Sequence, residues 1–315
     1  MFEQIISDIR KYDTIILHRH SHPDGDALGS QIGLRVLIED NFPGKTVYCV
    51  GDSAGRYAFM EGSVMDEIAD NAYEGALAVV LDSATYELVS DKRFEKAART
   101  ARIDHHIYCE TFTDTEIVDT SFESCAGMIA ALSEESGWKL SSRSATAIFT
   151  GMVTDSGRFR YDSTSARTFH LASLLLTEGV DTNRLYRELY AEDLSRAQFR
   201  ASFLSKIRTY KGSCVAYIYN TWDELREMGV TDPFSVSRGM VNVMADLKGI
   251  DIWVNFTEDG EKVLTELRSS CYNVQPIAVK YGGGGHEKAC GADVKDHEEA
   301  LQMLEDLLKL TEQNA

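Results

Sequence analysis

Short apolar runs in the first half of this chain each give way to aspartate or histidine, and that repeated ending constrains the fold more than any other feature. Thr14-Ile-Ile-Leu17 leads into His20-Ser-His-Pro-Asp24-Gly-Asp26, the run from Ala76 closes on Asp82, and Arg102-Ile103 stops at Asp104-His105-His106. Thr46 to Val50 is a further strand. Between the strands the spacing of apolar residues is helical: over Asp26 to Asp40 through Leu28, Ile32, Leu34 and Leu37, then at about 124–136, 141–154 and 164–178. Continuous apolar strands separated by helices predict an α/β domain, a parallel sheet with helices on both faces. Ligands of such sheets collect at the carboxyl ends of the strands, so the clusters are expected to meet at one sheet edge.

A chain of 315 residues can bury more than one core. From Asp181 to Tyr210 the pattern is helical and charge-rich. A second pattern follows, with strands at 215–219, 252–256 and 263–268, helices at 222–228 and 234–247, a helical 273–281, the glycine run Gly282–Gly285 and a closing helix from Asp296. Thr-Glu-Asp-Gly between the 252 and 263 strands is hairpin chemistry. The expected division is a sheet domain over 1–185, a connecting helix over 186–210 and a smaller α+β domain over 211–315.

Six scattered cysteines without a C-x-x-C pair read as reduced thiols of a cytoplasmic protein. Phe2, Ile5, Ile6 and Ile9 mark a helix face, so the amino terminus reads as a folded element and not an export signal, and no apolar run is long enough to cross a membrane. The net charge of -18 argues against tracking of long nucleic acid, which normally needs a basic surface. A phosphate-bearing ligand would have to be held locally, by metal ions, a few basic side chains and backbone N–H groups.

Carboxylates and imidazoles are what Mn²⁺ or Mg²⁺ takes as ligands. Asp26 precedes a helix and could serve simply as its cap, but a cap accounts for neither His20 nor Asp24. His18 and His22 are left outside the ligand set. Asp82 could be a turn residue; a charge at the end of an apolar strand is costly unless something compensates it. Two consecutive histidines after a buried strand are hard to explain as packing alone. Asp155, in Gly-Met-Val-Thr-Asp-Ser-Gly, lies near a helix end, where the dipole disfavours a carboxylate and a cation would offset it. Two adjacent cations usually mean phosphoester hydrolysis by an activated water.

These clusters resemble the motifs of the DHH phosphoesterase superfamily, whose signature triplet stands here at Asp104-His105-His106. Arg268-Ser-Ser and Gly283-Gly-Gly-His286 are similar to those of its companion DHHA1 domain. The compact layout looks like the nanoRNase/pAp phosphatase group. The resemblance implies two Mn²⁺ (or Mg²⁺), one held by His20, Asp24 and Asp82, the other by Asp26, Asp82, His105 and Asp155. It further implies that His106 contacts the phosphate, that Asp104 orients a ligating histidine, and that Arg268, Ser269, Gly283, Gly284, Gly285 and His286 bind substrate. Which of the two adjacent histidines ligates stays open. The implied substrates are very short oligoribonucleotides or 3′-phosphoadenosine 5′-phosphate, measured in a two-lobed cleft. Alternatives are a cyclic dinucleotide phosphodiesterase acting on c-di-AMP, an exopolyphosphatase or pyrophosphatase, and a catalytically silent nucleotide-binding protein. A homodimer is expected as the commonest oligomer.

Overall fold

Isoleucine, leucine and valine run without alternation through 15–17 and 79–81, and accordingly the two strands that carry them are buried on both faces. The computed structural model describes residues 1–313 and divides into two units, Met1–Ala191 and Glu192 onward. The first unit contains α1 (Glu3–Lys11), β1 (Thr14–Arg19), α2 (Gly25–Asn41), β2 (Thr46–Cys49), β3 (Leu77–Leu81), β4 (Arg99–Asp104) and β5 (Thr115–Val118). It continues with α3 (Cys125–Ser136), α4 (Ser142–Asp155), α5 (Ala166–Thr177) and α6 (Thr182–Tyr190).

All five strands of its sheet are parallel, in the order β2-β1-β3-β4-β5. The order reverses between β1 and β3, which makes that edge the switch point where doubly wound sheets bind ligands. One face packs Ile15, Leu17, Val79 and Ile103 against apolar residues of α1 to α5. The other face carries Ile16, Ala78 and Val80, covered by Tyr73, Val89 and Phe94 from short 3-10 turns and loops. β5 escapes the sequence pattern because Ile117 is its one buried residue, too little for a period to show.

The second unit contains α7 (Leu194–Leu204), β6 (Arg208–Thr209), β7 (Val215–Asn220), α8 (Trp222–Glu227), α9 (Pro233–Met240), β8 (Ile252–Glu258) and β9 (Val263–Ser269). After these come α10 (Gln275–Lys280), β10 (Gly284–His286), β11 (Ala289–Val294) and α11 (His297–Gln313). Its mixed sheet runs β10-β11-β9-β8-β7-β6, with β7 and β8 parallel and the other pairs antiparallel. The β8–β9 hairpin forms as expected, its turn fixed by Asp259 Oδ1 accepting from the N–H groups of Glu261 and Lys262, both at 2.9 Å.

One expectation is corrected. The span 186–210 is not one helix: α6 ends at Tyr190, and α7 begins at Leu194. Ala191 and Asp193 between them are extended, Asp193 in the pre-helix position that aspartate favours. At the end of the glycine run, Gly284 to His286 pair with β11 as an edge strand. That pairing needs glycine, since a Cβ on Gly283 would lie 2.1 Å from the Gly291 carbonyl oxygen.

Candidate metal centre

The loop after β1 is pinned before it reaches its carboxylates. His20 bridges to Val89, the Ser21 N–H donates to the Leu88 carbonyl at 2.7 Å, and His22, at φ +53°, donates its N–H to Asp52 Oδ2 at 2.9 Å. Asp24 then caps α2, its Oδ1 accepting from the N–H groups of Asp26 and Ala27, each at 2.9 Å. The cap role considered for Asp26 therefore belongs to Asp24. Asp26 serves a different helix: its Oδ2 accepts from Cys125 N at 2.7 Å and its Oδ1 from Ala126 N at 2.8 Å, both in the first turn of α3. Glycine at 151 permits this approach, because a Cβ there would stand 2.5 Å from the Ala126 Cβ and 2.9 Å from Asp26 Oδ1.

Asp82 follows β3 in the left-handed region, at φ +51°, and is 2% exposed. Its Oδ2 lies 3.4 Å from His20 Nε2, which is also 3.8 Å from Asp24 Oδ1. Its Oδ1 is buried without a hydrogen-bond donor among the described residues. Around that oxygen stand His105 Nε2 and His106 Nδ1, both at 3.6 Å. His105 Nε2 is in turn 3.3 Å from Asp155 Oδ2 and 3.7 Å from Asp26 Oδ2. Asp155 is the last residue of α4, as its place in the sequence suggested. The donors thus form three groups of metal-binding geometry: His20, Asp24 and Asp82; Asp26, His105 and Asp155; Asp82, His105 and His106.

The electrostatics fit a cation. Burial, then Asp82 and Asp155, holds the Asp26 carboxyl well above its ordinary range. Burial, then Asp82 and Asp24, pushes Asp155 up to about 7. Against its burial, the carboxylates of Asp24 and Asp82 raise His20 to about 10. Like charges crowded at this spacing are stable only when protons or cations lie among them. An orphaned buried carboxylate oxygen beside imidazole nitrogens matches the ligand preferences of Mn²⁺ or Mg²⁺.

Asp104 grips His106 and not His105: its Oδ1 is 2.8 Å from His106 Nδ1, which raises that imidazole to about 9. His105 Nδ1 instead faces the Phe122 carbonyl at 3.4 Å. His18 is fully buried against Tyr73 and Phe94, and His22 engages the loop through its backbone, so neither joins the donor groups.

Two residues that motif reading passed over hold this arrangement. The guanidinium of Arg19, fully buried, donates to the Gln31 side chain and to the carbonyls of His20 and Asp52. Arg102, equally buried, donates to the carbonyls of Ser83, Ala84 and Glu110 and pairs with Glu116. The signal was present: an arginine inside an apolar strand needs a buried task.

In the second unit, the register sets Arg268 opposite Ala289 and Ala289 opposite His286, a row across three strands that shares one face. Arg268 Nη1 is fixed by Glu266 Oε2 at 2.9 Å and by the carbonyls of Leu267 and Cys290. Ser269 alternates to the other face, where its hydroxyl donates to the Asp251 carbonyl and accepts from Cys271 N and Tyr272 N. Gly282 and Gly283 line a cavity of about 250 Å³ with Phe234, Ser237 and Glu266.

Residues 14–152 match the DHH family, N-terminal domain, and residues 229–314 match the DHHA1 domain. The chain belongs to the DHH phosphoesterase family. Over its whole length it is 33% identical to the bifunctional oligoribonuclease and PAP phosphatase NrnA of Bacillus subtilis, covering 100% of both chains. The protein of that name from Mycoplasma pneumoniae is 34% identical, over 97% of this chain and 95% of its own. Among solved structures, an exopolyphosphatase-related protein from Bacteroides fragilis superposes with a TM-score of 0.82 at 27% identity, over 98% of this chain and 95% of the other. As a DHH phosphoesterase, the chain is a hydrolase of phosphoester bonds. Among the described residues no helix is long and apolar enough to cross a membrane.

Proposed function

We propose that this hydrolase removes nucleotides from very short oligoribonucleotides and the 3′-phosphate from 3′-phosphoadenosine 5′-phosphate, using two divalent cations, Mn²⁺ before Mg²⁺. The observation that carries the reading is the linkage of the donor groups: Asp82 belongs to two of the three and His105 to two. That linkage supports neighbouring cation sites that share Asp82. His20 and Asp24 would complete one; Asp26, His105 and Asp155 would complete the other. Full-length likeness to proteins named for both activities supports the substrate class.

When bound, divalent cations would supply a water of lowered pKa and stabilisation of negative charge on the phosphoryl oxygens. The protein supplies the frame. Asp26 is immobilised by the α3 amino terminus, Asp24 by its own helix, and Asp82 by the strained turn after β3. His106, held by Asp104 and half exposed, can donate a hydrogen bond to a phosphate oxygen. In the second unit, Arg268 and His286 would bind a further phosphate, while the glycine backbone beside them admits close approach. No nucleophilic side chain is required, and the net charge of -18 favours short ligands over long polymers.

The test is a panel with Mn²⁺ added: pAp, pApA, pGpG, c-di-AMP and pyrophosphate, with product identification. Turnover of pAp and the linear dinucleotides in preference to the last two is expected. Preferred turnover of c-di-AMP or pyrophosphate would move the enzyme to another branch of the family, and silence on all five would leave a nucleotide-binding protein. Equal rates on a dinucleotide and on a long RNA would refute the length preference.

A further inference from the structure

Five of the residues around the metal-centre cavity are its own aspartates and histidines; the other two, Ala84 and Leu88, are apolar. Leu88 is 47% exposed. An isolated surface leucine needs no explanation. This one differs in how it is held and in what surrounds it. Its carbonyl accepts from Ser21 at 2.7 Å, its N–H donates to the Thr85 carbonyl at 3.2 Å, and the next residue, Val89, bridges to His20. Val89 is itself buried in a cluster with Val80 and Phe94. The backbone of Leu88 is therefore built into the same loop assembly that carries His20. Its side chain is left, with the small Ala84, presenting carbon to a cavity of about 250 Å³ otherwise lined by ionisable groups.

An inorganic phosphate or pyrophosphate has no apolar surface to place there. A nucleoside phosphate has two, the sugar and the base. We infer that Leu88 is a specificity-determining residue, packing against the nucleoside portion of the ligand whose phosphate enters the metal centre, an inference that rests on the phosphoesterase reading above. Leu88 then selects organic phosphoesters over inorganic ones without touching the reacting atoms. Covering an exposed leucine face on binding is worth about tenfold in affinity at the usual value of buried apolar area.

The experiment uses the full-length, Mn²⁺-loaded protein and calorimetric titration with AMP, ribose 5-phosphate and orthophosphate. Leu88→Ala is expected to weaken AMP about tenfold and leave orthophosphate within about twofold. Leu88→Met, which keeps the carbon surface, is expected to retain AMP affinity. A matching loss for ribose 5-phosphate places the contact on the sugar; a loss confined to AMP places it on the base. Unchanged AMP binding by Leu88→Ala, an equal loss for AMP and orthophosphate, or wild-type AMP binding no tighter than orthophosphate would each overturn the inference. Failure of the wild type to cleave any nucleotide in the substrate panel would instead count against the phosphoesterase reading, because the binding comparison needs no turnover.

Discussion

Asp104 Oδ1 and His106 Nδ1 lie 2.8 Å apart, so the first residue of the DHH triplet holds the third. Although burial works against it, this bond keeps the Asp104 carboxyl below its ordinary range, as the partner of a protonated imidazole. Asp104→Asn keeps the shape and removes the charge. His106 should then titrate nearer its ordinary 6.5 than the present 9 or so. Losing such an orienting partner typically costs about 10–100-fold in activity or metal affinity. We expect kcat to fall by that factor while Mn²⁺ affinity at the His20 side holds; NMR titration of His106 and Mn²⁺ binding read the two separately.

Asp82 combines a left-handed backbone with a shared place in two donor groups. Asparagine tolerates that backbone, so Asp82→Asn isolates the charge from the fold. Turnover of every substrate should fall by at least about a hundredfold even in excess Mn²⁺, in line with loss of a shared ligand. The cation-free protein should meanwhile become more stable, because Asp82 is, after burial, the largest influence raising the carboxyls of Asp26 and Asp155. A lower Tm without metal, or near-normal turnover with it, would refute the bridging assignment.

The sheet and its charged edge were legible because burial on both faces leaves uninterrupted apolar runs, and Asp82 and Asp104 stand where those runs end. What the sequence hid was shared use. Asp24 and Asp26 both stand at the start of α2, and only the fold reveals that one caps α2 while the other reaches the start of α3. Nothing local distinguishes His105 from His106 either; the backbone turn after β4 decides which imidazole meets Asp104. β10 lay hidden for a different reason, since a glycine strand has no side-chain period to read.

The crowded carboxylates also set a pH dependence. Asp155 has a folded pKa of about 7 against an ordinary 3.8, and His20 one of about 10 against 6.5. Both bind protons more tightly folded than unfolded, so each stabilises the fold fully below its ordinary pKa. That contribution is lost as pH rises through the folded value. The chelated protein should therefore lose Tm steadily between pH 5 and 9, contrary to the usual gain of a protein whose carboxylates are salt-bridged. Mn²⁺ should raise Tm more at pH 8 than at pH 6, because its ligands must be deprotonated. A flat Tm profile with chelator would contradict this account.

Arg268 has one nitrogen committed to Glu266 and two carbonyls, an arrangement that orients the guanidinium and leaves its remaining donors for a phosphate. Arg268→Ala should reduce kcat/KM for pApA far more than for bis(p-nitrophenyl) phosphate, by about ten- to a hundredfold on the nucleotide alone, as for loss of a charge-assisted bond. Equal losses on the two substrates would remove the clamp.

Arg102 separates folding from function. Its guanidinium lies 4.6 Å from the Phe112 ring and ties the segments after β3 and β4 together through carbonyls on each, Ser83 and Ala84 on one side and Glu110 on the other. Arg102→Met strands Glu116 without its cation, and breaking a buried pair in this way costs about 3–5 kcal/mol. Glu116→Gln added to it removes the stranded charge while keeping an acceptor for the Phe112 and Thr113 N–H groups. We expect the double variant to recover much of the stability and little of the activity, because the carbonyls that follow Asp82 remain unheld. Urea unfolding and Mn²⁺-dependent turnover measure the two effects. If the double variant regains both together, Arg102 serves the fold alone and not the placement of Asp82.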